Sequence, residues 1–254
     1  MNKVVFIGAG PGDPELITLK GKKSLEQADI VIYAGSLLNP EILKYCKPGV
    51  ELYDSAKMSL PQVMEVMIAG VKAGKQVARV HDGDPSFYGA IQEQMEFLDK
   101  EQIEYFRIPG VSCLQGGAGA LNRELTLPKI SQTIIITRPE GRTPVPASES
   151  IVELARHQST MVIFLGTPHI ARVIEDLQKG GYPKDTPVSV VYKATWPEQK
   201  IVKGTISDIV EKVKAAGFTE TALIFVGRVF DPQGYDYSKL YDPTFTTGFR
   251  KGVE

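Results

Sequence analysis

The chain has 254 residues, 29 Lys+Arg against 30 Asp+Glu, 43% hydrophobic content and two cysteines. These values exclude wholesale disorder, a disulfide framework or zinc ribbon built on the distant Cys46 and Cys113, and any general attraction to nucleic acid or anionic membrane. The length fits one large domain or two small ones, and the outlying count is glycine, at 24, which signals either a flexible chain or many tight turns.

Residues 3–8 form an apolar run that Gly8-Ala9-Gly10-Pro11 interrupts at once, with no small-residue cleavage site behind it. It reads as a buried strand and not as a signal peptide. No stretch reaches the ~20 apolar residues that cross a bilayer, and a cytoplasmic location is the default expectation. Residues 30–33 (IVIY) are the next strand. Leu60, Val63, Met64, Met67, Ile68 and Val71 recur with helical period. A strand over 76–80 follows, then a helix marked by Ile91, Met95 and Leu98, then a strand over 105–108 that ends at Pro109-Gly110. The small-residue segment 110–128 contains a helix.

The rhythm restarts with residues 133–137 (TIIIT), whose β-branched run predicts a central strand buried on both faces. Residues 160–165 are another strand. Thr167 is the expected N-cap, and Pro168 the first residue, of a helix with core face Ile170, Val173, Ile174 and Leu177, ended by Gly180-Gly181. A strand over 188–192, a helix through Ile206, Ile209, Val210 and Val213 stopping at Gly217, and a strand over 222–226 complete the pattern. The tail, 231–254, is aromatic and glycine-rich without a period, and is open to readings as a docking arm, a hairpin or a partly disordered end. Strands alternating with helices predict an α/β fold with mostly parallel sheets, in two domains, 1–120 and 121–254.

Two glycine loops leave strand ends. In Gly8-Ala9-Gly10-Pro11-Gly12-Asp13-Pro14, Asp13 stands where a dinucleotide G-x-G-x-x-G needs glycine, and Pro11 lacks the amide a pyrophosphate would use. No P-loop is present. The loop is tight and stiff, suited to a ligand held by shape and carbonyl oxygens, or else is a plain strand-to-helix turn. The second loop is His81-Asp82-Gly83-Asp84-Pro85-Ser86-Phe87-Tyr88-Gly89. Its carboxylates can accept from an amine or a ribose diol, or lie near a positive sulfur. The D-x-D pair as a Mg²⁺ site would require substrate phosphates. His81, with no second histidine at ligand spacing, reads as a packed histidine and not a metal ligand.

Taken together, the loops resemble the tetrapyrrole (corrin/porphyrin) methylase family. The resemblance rests on residues 8–14 with Leu16-Ile17-Thr18-Leu19-Lys20-Gly21, on Gly83-Asp84-Pro85 with Tyr88-Gly89, and on Pro109-Gly110-Val111-Ser112. Residues 137–146 (TRPEGRTPVP), 191–197 (VYKATWP) and Lys239-Leu240-Tyr241-Asp242 are similar to its precorrin-4/cobalt-precorrin-4 carbon-11 methyltransferase branch.

The resemblance implies two α/β domains with S-adenosylmethionine in the cleft between them, a homodimer, and a role in cobalamin biosynthesis. It implies cofactor contacts from Pro11, Asp82, Gly83, Asp84, Phe87, Ser112, Cys113, Leu165 and Ala194, several of them through main chain. Cys113 departs from the small residue expected there. Methyl transfer from a sulfonium is an in-line displacement that needs alignment and water exclusion more than an enzyme nucleophile, so no catalytic residue and no protein-bound metal are assigned. Cobalt, if present, would arrive in the macrocycle. A substrate rich in carboxylates calls for Arg and Lys: first Arg138 and Arg142 around Glu140, then Lys193 and Lys57, each otherwise a solvated charge.

Four other readings stand beside this one. The first is another tetrapyrrole methylase, acting on uroporphyrinogen III or precorrin-2. The second is a nicotinamide-dependent reductase, which Pro11 and Asp13 oppose. The third is an RNA 2′-O-methyltransferase, which would want a basic surface. The fourth is a tetrapyrrole carrier that leaves the methyl donor untouched.

Overall fold

The computed structural model describes residues 3–253. Met1, Asn2 and Glu254, the outer ends of the expected domains and of the tail, lie outside the described residues. The chain divides into two units. The first runs to Gly117 and also takes in Lys193–Gln199; the second is Ala118–Tyr192 and the chain from Lys200 onward.

In the first unit, β1 (Val4–Gly8), β2 (Ile30–Tyr33), β3 (Glu51–Asp54), β4 (Val77–His81) and β5 (Tyr105–Ile108) form a sheet in the order β3-β2-β4-β1-β5. Every pairing in it is parallel. β1 and β4 are buried along their whole length, as expected where helices cover both faces of a parallel sheet. Alternation sorts their side chains. Val5, Ile7, Val31 and Val80 pack with Leu25 of α1 (Leu19–Gln27). Val4, Phe6, Ile30 and Ile32 pack with Met67 of α2 (Leu60–Lys72) and Leu98 of α3 (Gln92–Lys100). The register Gly8↔His81 places the ends of β1 and β4 side by side. The loops after β1, β4 and β5 therefore leave one carboxyl edge, the usual binding edge of such sheets. Helix α4 (Cys113–Leu121) contains the point where the division into units falls.

In the second unit, β6 (Ile134–Thr137), β7 (Thr160–Ile163), β8 (Pro187–Tyr192), β9 (Lys200–Thr205) and β10 (Ala222–Val226) order as β6-β7-β10-β8-β9, with α5 (Ile151–Ala155), α6 (Ile170–Lys179) and α7 (Ile209–Ala215). Met161, Ile163, Val190 and Ile224 of the sheet pack with Val173, Ile174 and Leu177 of α6.

The α/β class holds in both units, and parallel pairing holds throughout the first sheet and between β6 and β7. The β7–β10, β10–β8 and β8–β9 pairings are antiparallel, so the second sheet is mixed. The β8–β9 link is residues 193–199 alone, too short for the crossover a parallel pair needs. Residues 133–137 are not a central strand. β6 is the sheet edge and Ile134 is 36% exposed, because a β-branched run reports strand propensity and not position. Thr167 is not an N-cap. It opens a 3₁₀ turn, Thr167–His169, ahead of α6, and its hydroxyl donates to the Ala222 carbonyl at 3.2 Å. The expected reading had no place for β3 or β9, two edge strands whose sequences, ELYD and KIVKGT, lack an apolar run. The tail makes a 3₁₀ turn, Lys239–Tyr241, and folds around Arg250, which donates to the carbonyls of Leu240, Asp242 and Phe245.

Candidate functional site

The glycine loops of the first unit meet at one point. Gly83 N–H donates to the Gly10 carbonyl at 2.8 Å and Gly10 N–H returns to the Gly83 carbonyl at 3.3 Å. Gly83 has φ +55°, a left-handed conformation that glycine adopts without penalty. A Cβ on Gly8 would stand 2.6 Å from Gly110 Cα and 2.7 Å from the Gly83 carbonyl, so the three loops approach backbone to backbone with no room for side chains.

The two carboxylates of the second loop have different work. Asp84 Oδ1 accepts from Ser86 N–H and Oδ2 from Gly110 N–H, both at 2.8 Å, so Asp84 ties the second loop to the third. Asp82 is in no ion pair among the described residues, and burial raises its pKa above the ordinary carboxylate range. Cys113, at the start of α4, has its backbone N and its Sγ each 3.3 Å from where a Gly83 Cβ would be. Burial, reinforced by the neighbouring Asp82, pushes its thiol up to about 12; it is a neutral wall and not a nucleophile. Ser112 is buried and its Oγ accepts from Leu114 N–H at 3.2 Å at the start of α4. The Phe87 N–H donates to the Asp84 carbonyl at 3.1 Å and its ring is partly exposed. A 340 Å³ hollow lies beside this junction, lined by Asp84, Pro85, Ser86, Arg107 and Pro109.

Residues 193–199 close over the first loop. Trp196 Nε1–H donates to the Pro11 carbonyl at 3.1 Å, and Thr195 Oγ1 accepts from Asp13 N–H at 2.9 Å. A side chain on Gly12 would run into the Trp196 indole and would lie 2.9 Å from the Ala194 carbonyl. Asn39 Nδ2 donates to the Gly12 carbonyl at 2.8 Å. The carbonyls of Gly10, Pro11 and Gly12 each accept one protein N–H group, which fixes the shape of the loop and leaves each oxygen a second lone pair. Lys193 lies with Nζ 4.8 Å from the Trp196 ring centroid and 3.7 Å from Glu198. Lys57 is exposed and 3.5 Å from Asp54.

The other candidates belong to the second unit. Arg138 donates NH1 to the carbonyls of Pro139 and Thr143, at 3.2 and 3.1 Å, and NH2 to Pro144 at 3.0 Å. It therefore holds its own loop in shape. Glu140 faces Arg172 at 3.6 Å, while Arg142 is exposed and in no ion pair among the described residues. Leu165 follows β7 in a left-handed conformation, φ +55°, and is exposed. The first unit thus brings together Pro11, Asp82, Gly83, Asp84, Ser112, Cys113 and Ala194. Arg138, Glu140, Arg142 and Leu165 lie on the second, and Lys57 follows β3, the edge strand of the first sheet. The sequence reading missed Asn39, for which the turn dipeptide Asn39-Pro40 was the available signal. It also missed the covering role of Thr195 and Trp196, although both lie in the stretch VYKATWP that it singled out.

Residues 3–210 match the family of Tetrapyrrole (Corrin/Porphyrin) Methylases. The chain is 56% identical over 249 residues to a cobalt-precorrin-4 C(11)-methyltransferase of Methanocaldococcus jannaschii, covering 98% of this chain and 96% of that one. It is 44% identical over 249 residues to a precorrin-4 C(11)-methyltransferase of Pseudomonas aeruginosa, covering 98% and 99%. Among solved structures, the X-ray structure of the cobalt precorrin-4 methyltransferase CbiF superposes with a TM-score of 0.88 at 45% identity, covering 91% of this chain and 96% of that one. A uroporphyrin-III C-methyltransferase of Thermus thermophilus, complexed with S-adenosyl homocysteine, shares the fold with a TM-score of 0.76 at 24% identity, covering 91% and 94%. With a full-length relative at 56% identity and a family match over most of its length, this chain belongs to the tetrapyrrole (corrin/porphyrin) methylases.

Proposed function

We propose that the chain transfers a methyl group from S-adenosylmethionine to carbon 11 of precorrin-4 or cobalt-precorrin-4, in cobalamin biosynthesis. The observation that carries this reading is the identity, over nearly the whole of both chains, to relatives bearing that name. The proposal includes a cytoplasmic homodimer of two-domain chains, 1–120 and 121–254.

The residues present suit such a donor. Asp82 is an acidic group in a half-buried position, in no ion pair among the described residues, and suits a cationic ligand. The Gly83 backbone lies close against Cys113 and Ser112 in a left-handed conformation, and Cys113 is protonated, so no thiolate competes for the methyl group. When bound, S-adenosylmethionine supplies a methyl group already activated by a positive sulfur. The chain's own part is to bind, to orient and to exclude water. Asp82, Gly83, Phe87, Ser112, Cys113, Leu165 and Ala194 are the proposed donor contacts. Asp84 and Pro11 act by shaping their loops. Arg142 is the proposed reader of substrate carboxylates, on a loop that Arg138 holds, with Glu140, Lys193 and Lys57 behind it.

Incubation with S-adenosylmethionine and a panel of tetrapyrroles tests the reading: uroporphyrinogen III, precorrin-2, and precorrin-4 with and without cobalt. One added methyl by mass spectrometry, on precorrin-4 alone and at carbon 11 by NMR, is expected. Methylation of a different macrocycle, or NADPH binding without S-adenosylhomocysteine binding, overturns it.

A further inference from the structure

Arg79 stands in the middle of β4, on the sheet face that carries Phe6 and Ile32. It is 6% exposed, and no acidic side chain pairs with it among the described residues. Its Nε donates to Gln94 Oε1 at 3.1 Å, and NH1 donates to the Ile32 and Val80 carbonyls at 3.3 Å each. Burial lowers its pKa only to about 10, so it is a cation at neutral pH. His81, two residues on and on the same face, is no counter-charge. Burial and the Arg79 charge lower its pKa to about 3, and its Nε2 has no partner in the described structure.

An uncompensated buried cation is a poor stabiliser, and apolar replacement of buried charges is often neutral or stabilising. What Arg79 does supply is direction. Guanidinium only donates, so it obliges the amide of Gln94 to present its oxygen, which leaves the Gln94 NH₂ pointing the other way. That group donates to the Ala90 carbonyl at 2.8 Å. Gln94 is itself 4% exposed; its bond from Arg79 is buried, so water cannot readily replace it, and its bond to the Ala90 carbonyl is part-buried. Ala90 and Tyr88 are both left-handed, at φ +48° and +56°, a conformation that non-glycine residues hold only when their surroundings impose it. Gly89, between them, packs on the Pro85 backbone. The same loop carries Phe87 and begins at Asp84.

We propose that Arg79 and Gln94 are positioning residues, a buried relay that sets the shape of the loop 84–91 for binding of the methyl donor. The inference rests on the donor reading given above, since it assigns what the shaped loop is for. The discriminating variant is Gln94→Glu. It keeps an acceptor facing Arg79 and adds the missing counter-charge, yet it has no N–H for the Ala90 carbonyl. Arg79→Met removes the guanidinium that orients the amide.

Three measurements on the full chain separate the outcomes: the melting temperature, the affinity for S-adenosylhomocysteine by calorimetry, and ligand-free amide hydrogen exchange over residues 85–91. The loss of one part-buried hydrogen bond corresponds to up to about tenfold. Gln94→Glu is expected to melt at or above the wild-type temperature, to bind about tenfold more weakly, and to exchange faster in the loop while β1 and β4 are unchanged. Arg79→Met is expected to move affinity and loop exchange the same way, and decides the matter alone if Gln94→Glu fails to fold. Affinity within twofold of wild type with unchanged loop exchange overturns the proposal, as does a fall in melting temperature with no change in either. If the wild-type chain itself fails to bind S-adenosylhomocysteine, the donor reading falls, and the exchange of the loop alone decides whether Arg79 and Gln94 shape it.

Discussion

Replacing Asp84 with alanine removes two hydrogen bonds between a carboxylate and backbone N–H groups, each 2.8 Å long, one to Ser86 and one to Gly110. Bonds to charged acceptors contribute about 1.5–3 kcal/mol each. The Ser86 bond is exposed and the Gly110 bond part-buried, so the low end applies and the pair is worth roughly 3 kcal/mol. At ~2–4 °C per kcal/mol for a chain of this size, the melting temperature falls by ~6–12 °C. The Gly110 bond joins the second loop to the third, so S-adenosylhomocysteine affinity falls with it. Asp84→Asn keeps one acceptor oxygen and turns an NH₂ toward the other amide, and lands between wild type and alanine. Differential scanning calorimetry with a parallel ligand titration measures both effects. An alanine variant that melts within about 1–2 °C of wild type, below the single-bond figure converted the same way, would show that these contacts do not hold the loops together.

Asp82→Asn acts with the opposite sign on stability. Burial raises the pKa of Asp82 in the folded chain, so the folded state favours the neutral carboxyl, and that contribution fades as pH rises through the raised value. The asparagine variant should therefore gain in melting temperature over wild type as pH goes from 4 to 8, while binding S-adenosylhomocysteine less tightly. A gain that shrinks with pH contradicts this. Cys113, moved from 9.0 to about 12, should alkylate at pH 8 about 10³-fold more slowly than an exposed thiol; peptide mass spectrometry that finds it labelled at the free-thiol rate rules out the neutral wall. Arg142→Ala should raise the KM for the tetrapyrrole several-fold with kcat and melting temperature retained. Arg138→Ala should raise KM too, and in addition open residues 139–144 to limited proteolysis. Wild-type KM in the Arg142 variant removes it from the substrate site.

Much of the first unit was readable because its signals are local. Residues 30–33 and 105–108 are strands at the expected bounds, and the recurrence from Leu60 to Val71 is the buried face of α2. Position within a sheet is not a local property. The β-branched run at 133–137 looks the same whether it has one neighbour or two, and β9, with lysines at both ends of KIVK, looks like a loop until β8 pairs with it. At the site, the sequence located the glycine junction but ranked its acids equally. Only the folded structure distinguishes Asp84, with both oxygens engaged by backbone, from Asp82, in no ion pair among the described residues. The same holds for the two arginines: three carbonyls around Arg138 mark it as a loop brace, and nothing in TRPEGR says which guanidinium is enclosed. Arg79 was invisible as a feature, since a lone arginine in a strand carries no motif.

The cover over the first glycine loop has a bearing on how the chain is made. The Trp196 indole lies against Gly12, where it leaves no room for a side chain, yet the two leave the ribosome far apart in time. After Gly117 emerges, ~80 residues must follow before the indole is available, on the order of 4–16 s at ~5–20 residues per second. Through that interval the nascent first unit has the Pro11 carbonyl and the Asp13 amide open to water, and it lacks the contacts that Thr195 and Trp196 bring. A fragment truncated at residue 117 is therefore an immature unit, and the first glycine loop reaches its final form only once the link between β8 and β9 has been made.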